Sequence, residues 1–237
     1  MKLRVLLLIS DYIYKMNSPK TRLASAFTLV ELLVCIVIIS VLAGILIPTL
    51  GKVRLKADQS KGLANMRQIA TGIVLYCGDN DQTLPGPLWV GQGATYNKND
   101  PKTLMSRIAN YLGYPEAKDF GQIADVAIPP PYKRLKSPSG ICFATPISYI
   151  QEGGGERFAN PFGYQGNDGI VTAQPMKLSA LASSGNLSKS WALQDIDQKM
   201  TGYKDAGWYS SLPKDPLYGN ARNAVFFDMH AGTIPVQ

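Results

Sequence analysis

The run from Phe27 to Leu50 reads FTLVELLVCIVIISVLAGILIPTL and contains a single charge, Glu31. As a helix rising ~1.5 Å per residue it would be ~36 Å long, enough to cross a hydrocarbon core of ~30 Å. A cleaved secretory signal has an apolar core of only ~7–15 residues close to the N-terminus, so this run is too long and begins too late to be one. Val5–Ile9 is too short to be a second span. One membrane-spanning helix is therefore predicted, and the rest of the chain must be organised around it.

Charge is distributed around that run. The 237-residue chain has a net charge of +7, which invites a nucleic-acid reading. The first 26 residues, however, hold Lys2, Arg4, Lys15, Lys20 and Arg22 against Asp11 alone, a net +4. Between Arg22 and Lys52 the only charge is Glu31, and much of the remaining positive charge lies from Lys52 to Arg67. This is the pattern of a leader and a membrane flank, and no nucleic-acid partner is predicted. With 46% apolar residues and 12 Tyr, the chain is too apolar to be disordered.

Glu31 is the anomaly within the span. A carboxylate in lipid is costly and calls for a partner, and its own span offers no base. One reading keeps Glu31 hydrated at the interface, one turn inside the run. The other brings a partner from outside the helix: a second subunit, a water path or a newly made N-terminal amine.

The segment Ala26-Phe-Thr-Leu-Val-Glu31 follows Lys20 and Arg22 and leads into an unbroken apolar helix. It resembles the type IV prepilin cleavage and methylation signal of pilin-like proteins, including the pseudopilins of type II secretion systems. The resemblance implies that a prepilin peptidase removes a leader, residues 1–26, by cutting between Ala26 and Phe27. The same enzyme would methylate the new amine of Phe27, and Glu31 would serve assembly. Ala26 stands where the family usually has Gly, and Pro48 where many members have a helix-bending proline. Met16 offers a second start that would leave a shorter leader. The implied partners are the peptidase, other pilin-like subunits, the inner-membrane assembly platform and membrane lipid. The implied location is the bacterial inner membrane, single-pass, with the C-terminal domain in the periplasm and outside the cell after filament assembly. Basic residues flank both ends of the span, so the positive-inside rule does not itself favour this orientation; the processing signal does.

Beyond the transmembrane half, 27–50, the helix should continue as an amphipathic half, 51–79. Leu63, Met66, Ile69, Ala70, Ile73, Tyr76 and Cys77 recur at three- and four-residue spacing, and Gly78-Asp-Asn80 is a stop signal. Residues 80–237 should form one α+β domain. A helix with Leu104, Ile108 and Leu112 on one face is expected, with Asp100 as its cap, Pro101 in its first turn and Gly113 closing it. Candidate strands are 141–150, 169–174, 191–196, 206–210, 223–228 and 232–236, the last two joined as a hairpin through Met229–Ala231. A long N-terminal helix packed on an antiparallel sheet is the lollipop architecture that the resemblance also implies. Asn65-Met-Arg-Gln-Ile69 and the Phe227-Asp-Met-His230 segment further resemble a subgroup of these proteins found in bacteria related to planctomycetes and verrucomicrobia. That subgroup usually has Gly where this chain has Met229, and often Cys-Pro-Ser where this chain has Ser137-Pro-Ser139.

The sequence holds no HExxH, P-loop, GxGxxG or GxSxG pattern, and no enzymatic activity is predicted. His230, the one histidine, reads as a structural hydrogen-bonding residue. Asp195, Asp197 and Asp228 are calcium candidates, because Ca²⁺ requires several oxygen ligands. Cys35 lies in the span, while Cys77 and Cys142 lie where a disulfide is permitted, and their pairing stays open. Two functions fit: a filament or pseudopilus subunit, or a membrane-anchored periplasmic ligand-binding or adhesin module. In the second, Trp89, Trp191, Trp208 and Tyr209 would line a binding face.

Overall fold

The computed structural model describes residues 28–134, 140–150, 157–183 and 186–236. The chain divides into two units at the Thr49/Leu50 boundary. One 51-residue helix, α1 (Leu29–Asp79), contributes to both. It runs through Pro48 without interruption and stops beside Gly78, at the predicted signal.

In the first unit the segment Leu29–Ile47 is long and apolar enough to cross a membrane, and none of it is buried. At ~1.5 Å per residue its helical length of ~28 Å is close to a hydrocarbon core. Leu29 is 83% exposed and Ile47 68%, with exposed Leu, Val and Ile side chains all round the helix between them. An all-round apolar surface of this kind suits lipid rather than water. The hydroxyls along it are satisfied within the helix: Ser40 Oγ donates to the Ile36 carbonyl at 2.7 Å, and Thr49 Oγ1 to that of Leu46 at 2.8 Å. In lipid, a hydroxyl without such a bond would lose its hydration with nothing in return.

In the second unit the periodicity of α1 takes effect. Met66, Ile69, Ala70, Ile73 and Cys77 are buried, with Leu63 and Tyr76 half-buried beside them. The five buried residues, with Tyr76, share a core with Leu84, Leu104, Ile108, Phe162, Leu193, Val225 and Phe227. The sheet comprises β1 (Gly91–Gln92), β4 (Phe143–Ala144), β9 (Trp191–Asp195), β10 (Ala221–Phe226) and β11 (Ala231–Pro235), in the spatial order β1-β4-β9-β10-β11. Every neighbouring pair in it is antiparallel. Three two-stranded ribbons lie outside it: β2 (Thr95–Tyr96) with β3 (Gln122–Ile123), β5 (Ser148–Ile150) with β6 (Arg157–Ala159), and β7 (Phe162–Gln165) with β8 (Val171–Pro175). A smaller cluster of Ala144, Ile196, Tyr203 and Leu212 packs with Val90, Trp208 and Tyr209. The fold is α+β, a long N-terminal helix followed by an antiparallel sheet domain, as expected.

Several local expectations change. The stretch 141–150 is split into β4 and β5, because Pro146 between them has no N–H for a ladder. Residues 206–210 do not form a strand. Tyr209–Ser211 is a 3₁₀ turn, with Tyr209, Ser211 and Leu212 donating their N–H groups three residues back, so the aromatics there serve packing rather than a sheet. The helix after Pro101 is short, α2 (Leu104–Ile108), and continues as a 3₁₀ turn over Asn110–Leu112. Its N-cap is Thr103, not Asp100: the Thr103 side chain accepts the Ser106 N–H. Gly113 closes the turn at φ 79°, where a Cβ would be strained.

Helix α1 meets the sheet closely at Gly62. A Cβ there would stand 2.3 Å from Tyr218 Oη and 2.7 Å from Asn223 Nδ2. Asn223 also donates from Nδ2 to the Gln59 carbonyl at 3.1 Å, tying β10 to the helix. Gly62→Ala is expected to lower the stability of this domain by about 1–3 kcal/mol through overpacking, despite the better helix propensity of Ala. Urea denaturation followed by tryptophan fluorescence checks this; an unchanged midpoint would show that Tyr218 yields freely.

Candidate functional site

Ala26 and Phe27, the expected cleavage pair, lie outside the described residues. Glu31 is in the first turn of α1 and is exposed. Its carboxylate reaches back to the start of the helix: Oε2 accepts the Thr28 backbone N–H at 2.8 Å and the Thr28 hydroxyl at 2.8 Å. In return the Glu31 N–H donates to Thr28 Oγ1 at 3.2 Å. This is a reciprocal capping box, in which a Thr and a Glu three residues on satisfy amide groups that the helix cannot. Thr28-Leu-Val-Glu31, directly ahead of an apolar run, is the sequence signature of such a box. Oε1 has no partner among the described residues. Glu31 therefore holds the helix start with one oxygen and presents the other outward.

Of the calcium candidates, Asp197 has both oxygens bonded, Asp195 keeps one buried oxygen without a partner among the described residues, and Asp228 is bonded within its own turn. Asp195 and Asp197 are each 1% exposed, at the end of β9 and just beyond it. Asp197 receives Arg222 at 2.6 Å from Nε and 2.8 Å from the terminal nitrogen, and also accepts the Lys199 N–H. Asp195 Oδ2 accepts the Asn223 N–H at 2.8 Å. Asp228 instead lies in the β10–β11 turn, where Oδ1 is 2.5 Å from His230 Nδ1 and accepts the His230 N–H at 3.2 Å. Among the described residues no group of three His, Cys, Asp or Glu side chains is placed to hold a metal ion.

His230 stacks on Phe226 with ring centroids 4.3 Å apart, so the only histidine is bound up in the hairpin. Met229 adopts φ 66°, a left-handed conformation that favours the Gly of the resembled subgroup. Cys77 and Cys142 are both buried and free, and are not joined as a disulfide. Burial pushes the Cys77 thiol up to about 11 and that of Cys142 to about 12, so both stay protonated and weakly nucleophilic. Trp89 and Trp208 meet edge to face at 5.9 Å, and Trp208 lies 6.0 Å from the Tyr203 ring. Trp208 and Tyr209 are partly buried and pack against the smaller cluster, and Trp89 adjoins it through Trp208.

Residues 21–47 match the family described as the prokaryotic N-terminal methylation motif. No curated protein and no solved structure matches the chain. The chain thus carries a prepilin-type motif over the first turns of α1, on an apolar helix consistent with membrane anchoring. Motif, helix and antiparallel domain together support a pilin-like subunit, and the motif implies processing by a prepilin peptidase and contacts with other pilin-like subunits.

Proposed function

We propose that this chain is a structural subunit of a type II secretion pseudopilus or a type IV pilus-like filament. A prepilin peptidase cuts between Ala26 and Phe27 and methylates the Phe27 amine. Helix α1 then anchors the subunit in the inner membrane, with the domain beyond it in the periplasm, until the assembly platform adds it to a filament. The observation that carries this reading is the methylation motif over residues 21–47, which includes Glu31.

Cleavage creates an ammonium group at Phe27, four residues before Glu31. On a neighbouring subunit that cation can approach the free Glu31 oxygen in surroundings of low dielectric, where opposite charges attract far more strongly than in water. Pairing sets the axial register between subunits, since a misplaced helix would leave both charges without partners. Intact-mass and N-terminal peptide analysis of the protein from cells with a prepilin peptidase should find a chain beginning at methylated Phe27. A chain that retains residues 1–26 in those cells would overturn the reading.

A further inference from the structure

A groove of about 410 Å³ opens in the second unit, with Lys52, Leu55 and Lys56 of α1 on one wall and Tyr218, Asn220 and Thr233 among those on the other. We propose that it binds the headgroup of an acidic glycerophospholipid. The proposal rests on the reading of Leu29–Ile47 as the membrane-spanning segment.

Three observations converge on that occupant. First, Lys52 and Lys56 are four residues apart on one helix, so their ammonium groups share a face. Neither has an ion-pair partner among the described residues, and the acid that follows them, Asp58, is held by Arg134. Second, the lining suits an amphiphile rather than a free anion. Leu55 is 37% exposed and supplies apolar surface beside the two cations, while Asn220 and Thr233 supply polar groups opposite. Third, the groove lies at the right place in the chain. Lys52 follows Ile47 by only five residues, so the chain itself keeps it near the headgroup layer of ~5–8 Å that borders the hydrocarbon. Lysine binds phosphate as a point charge and needs no fixed fork. Two such charges this close in the chain to a span draw acidic lipid in from the leaflet.

The test uses the full chain in nanodiscs made from equal parts of phosphatidylcholine and phosphatidylglycerol. Native mass spectrometry then reads the lipids that stay with the released protein. Retained phosphatidylglycerol is expected to exceed phosphatidylcholine by roughly tenfold. A Lys52→Ala/Lys56→Ala variant should lose that preference. Thr233→Trp should also lose it, because it fills the groove and leaves every charge in place. Lys204→Ala/Lys214→Ala removes the same net charge from exposed positions away from the groove and should keep the preference. The site is overturned if Thr233→Trp or the Lys52/Lys56 pair behaves as wild type, if the control pair loses as much, or if a second copy of the chain is retained in place of lipid. Carbonate extraction separates the two levels. Release of the chain from membranes overturns the spanning reading and the site with it, whereas a chain that stays in the membrane without lipid preference overturns the site alone.

Discussion

Replacing Glu31 by Gln is expected to cut incorporation into filaments at least tenfold while cleavage before Phe27 and membrane insertion continue. Gln is the informative choice because of what Glu31 already does in the isolated chain. Its Oε2 closes a capping box with Thr28, and Gln can occupy the same third helical position and make the same reach back. The substitution therefore keeps the start of the helix and removes only the charge. What it removes is the partner for the ammonium that processing creates at Phe27, leaving that cation unpaired between apolar helices. Filament pull-down with labelled subunits, together with N-terminal mass analysis, checks this. Normal incorporation of Glu31→Gln would sink the charge-pairing scheme and leave Glu31 as a helix cap. Thr28→Ala is the converse variant: it breaks the box, keeps the carboxylate and should reduce assembly much less.

What could be read from the sequence follows the range of the physics involved. The span, the buried stripe of Met66, Ile69, Ile73 and Cys77, and the end of α1 at Asp79 depend on interactions within a few residues, and periodicity exposes those directly. Strands β9, β10 and β11 were also visible, because their apolar β-branched and aromatic content is bounded by turns. Residues 206–210 misled for a related reason: Trp208 and Tyr209 carry a strand-like composition, but their aromatic rings are used for packing while the backbone bonds locally. The long-range partners of Asp195 and Asp197 were not legible, unlike the local Asp228–His230 contact. Asp197 finds Arg222 and Asp195 finds Asn223 across more than twenty residues, through a strand pairing whose register no local pattern specifies. The groove beside Lys52 was hidden in the same way, since Tyr218, Asn220 and Thr233 reach it only through the fold.

Asp195→Asn is expected to stabilise the sheet domain at pH 8 by several kcal/mol and to remove a large part of its pH dependence. Asp195 is buried at the end of the central strand β9, and although Oδ2 accepts the Asn223 N–H, Oδ1 has no partner among the described residues. Arg222, the adjacent cation, is committed to Asp197. Burial is the dominant influence and pushes the Asp195 carboxyl up to about 8, against the help of the Asn223 N–H. The folded state therefore holds a proton that the unfolded chain releases near pH 4, and across that window the native form binds more protons. Stability from this group is fully present below about pH 4 and is lost as pH rises towards 8. Each pH unit well inside the window is worth about 1.4 kcal/mol, so the fall between pH 5 and pH 8 is on the order of 3–4 kcal/mol. Asn stays neutral throughout; its Oδ1 can accept the same N–H, and its amide can donate where Asp195 Oδ1 has no partner. Urea denaturation of the full chain in detergent, followed by tryptophan fluorescence at both pH values, measures the difference. Carboxylates remote from Asp195 contribute equally to wild type and variant, so the comparison isolates Asp195 and its interaction with Asp197. Equal losses of stability in the two proteins on going from pH 5 to pH 8 would show that Asp195 is ionised in the folded domain.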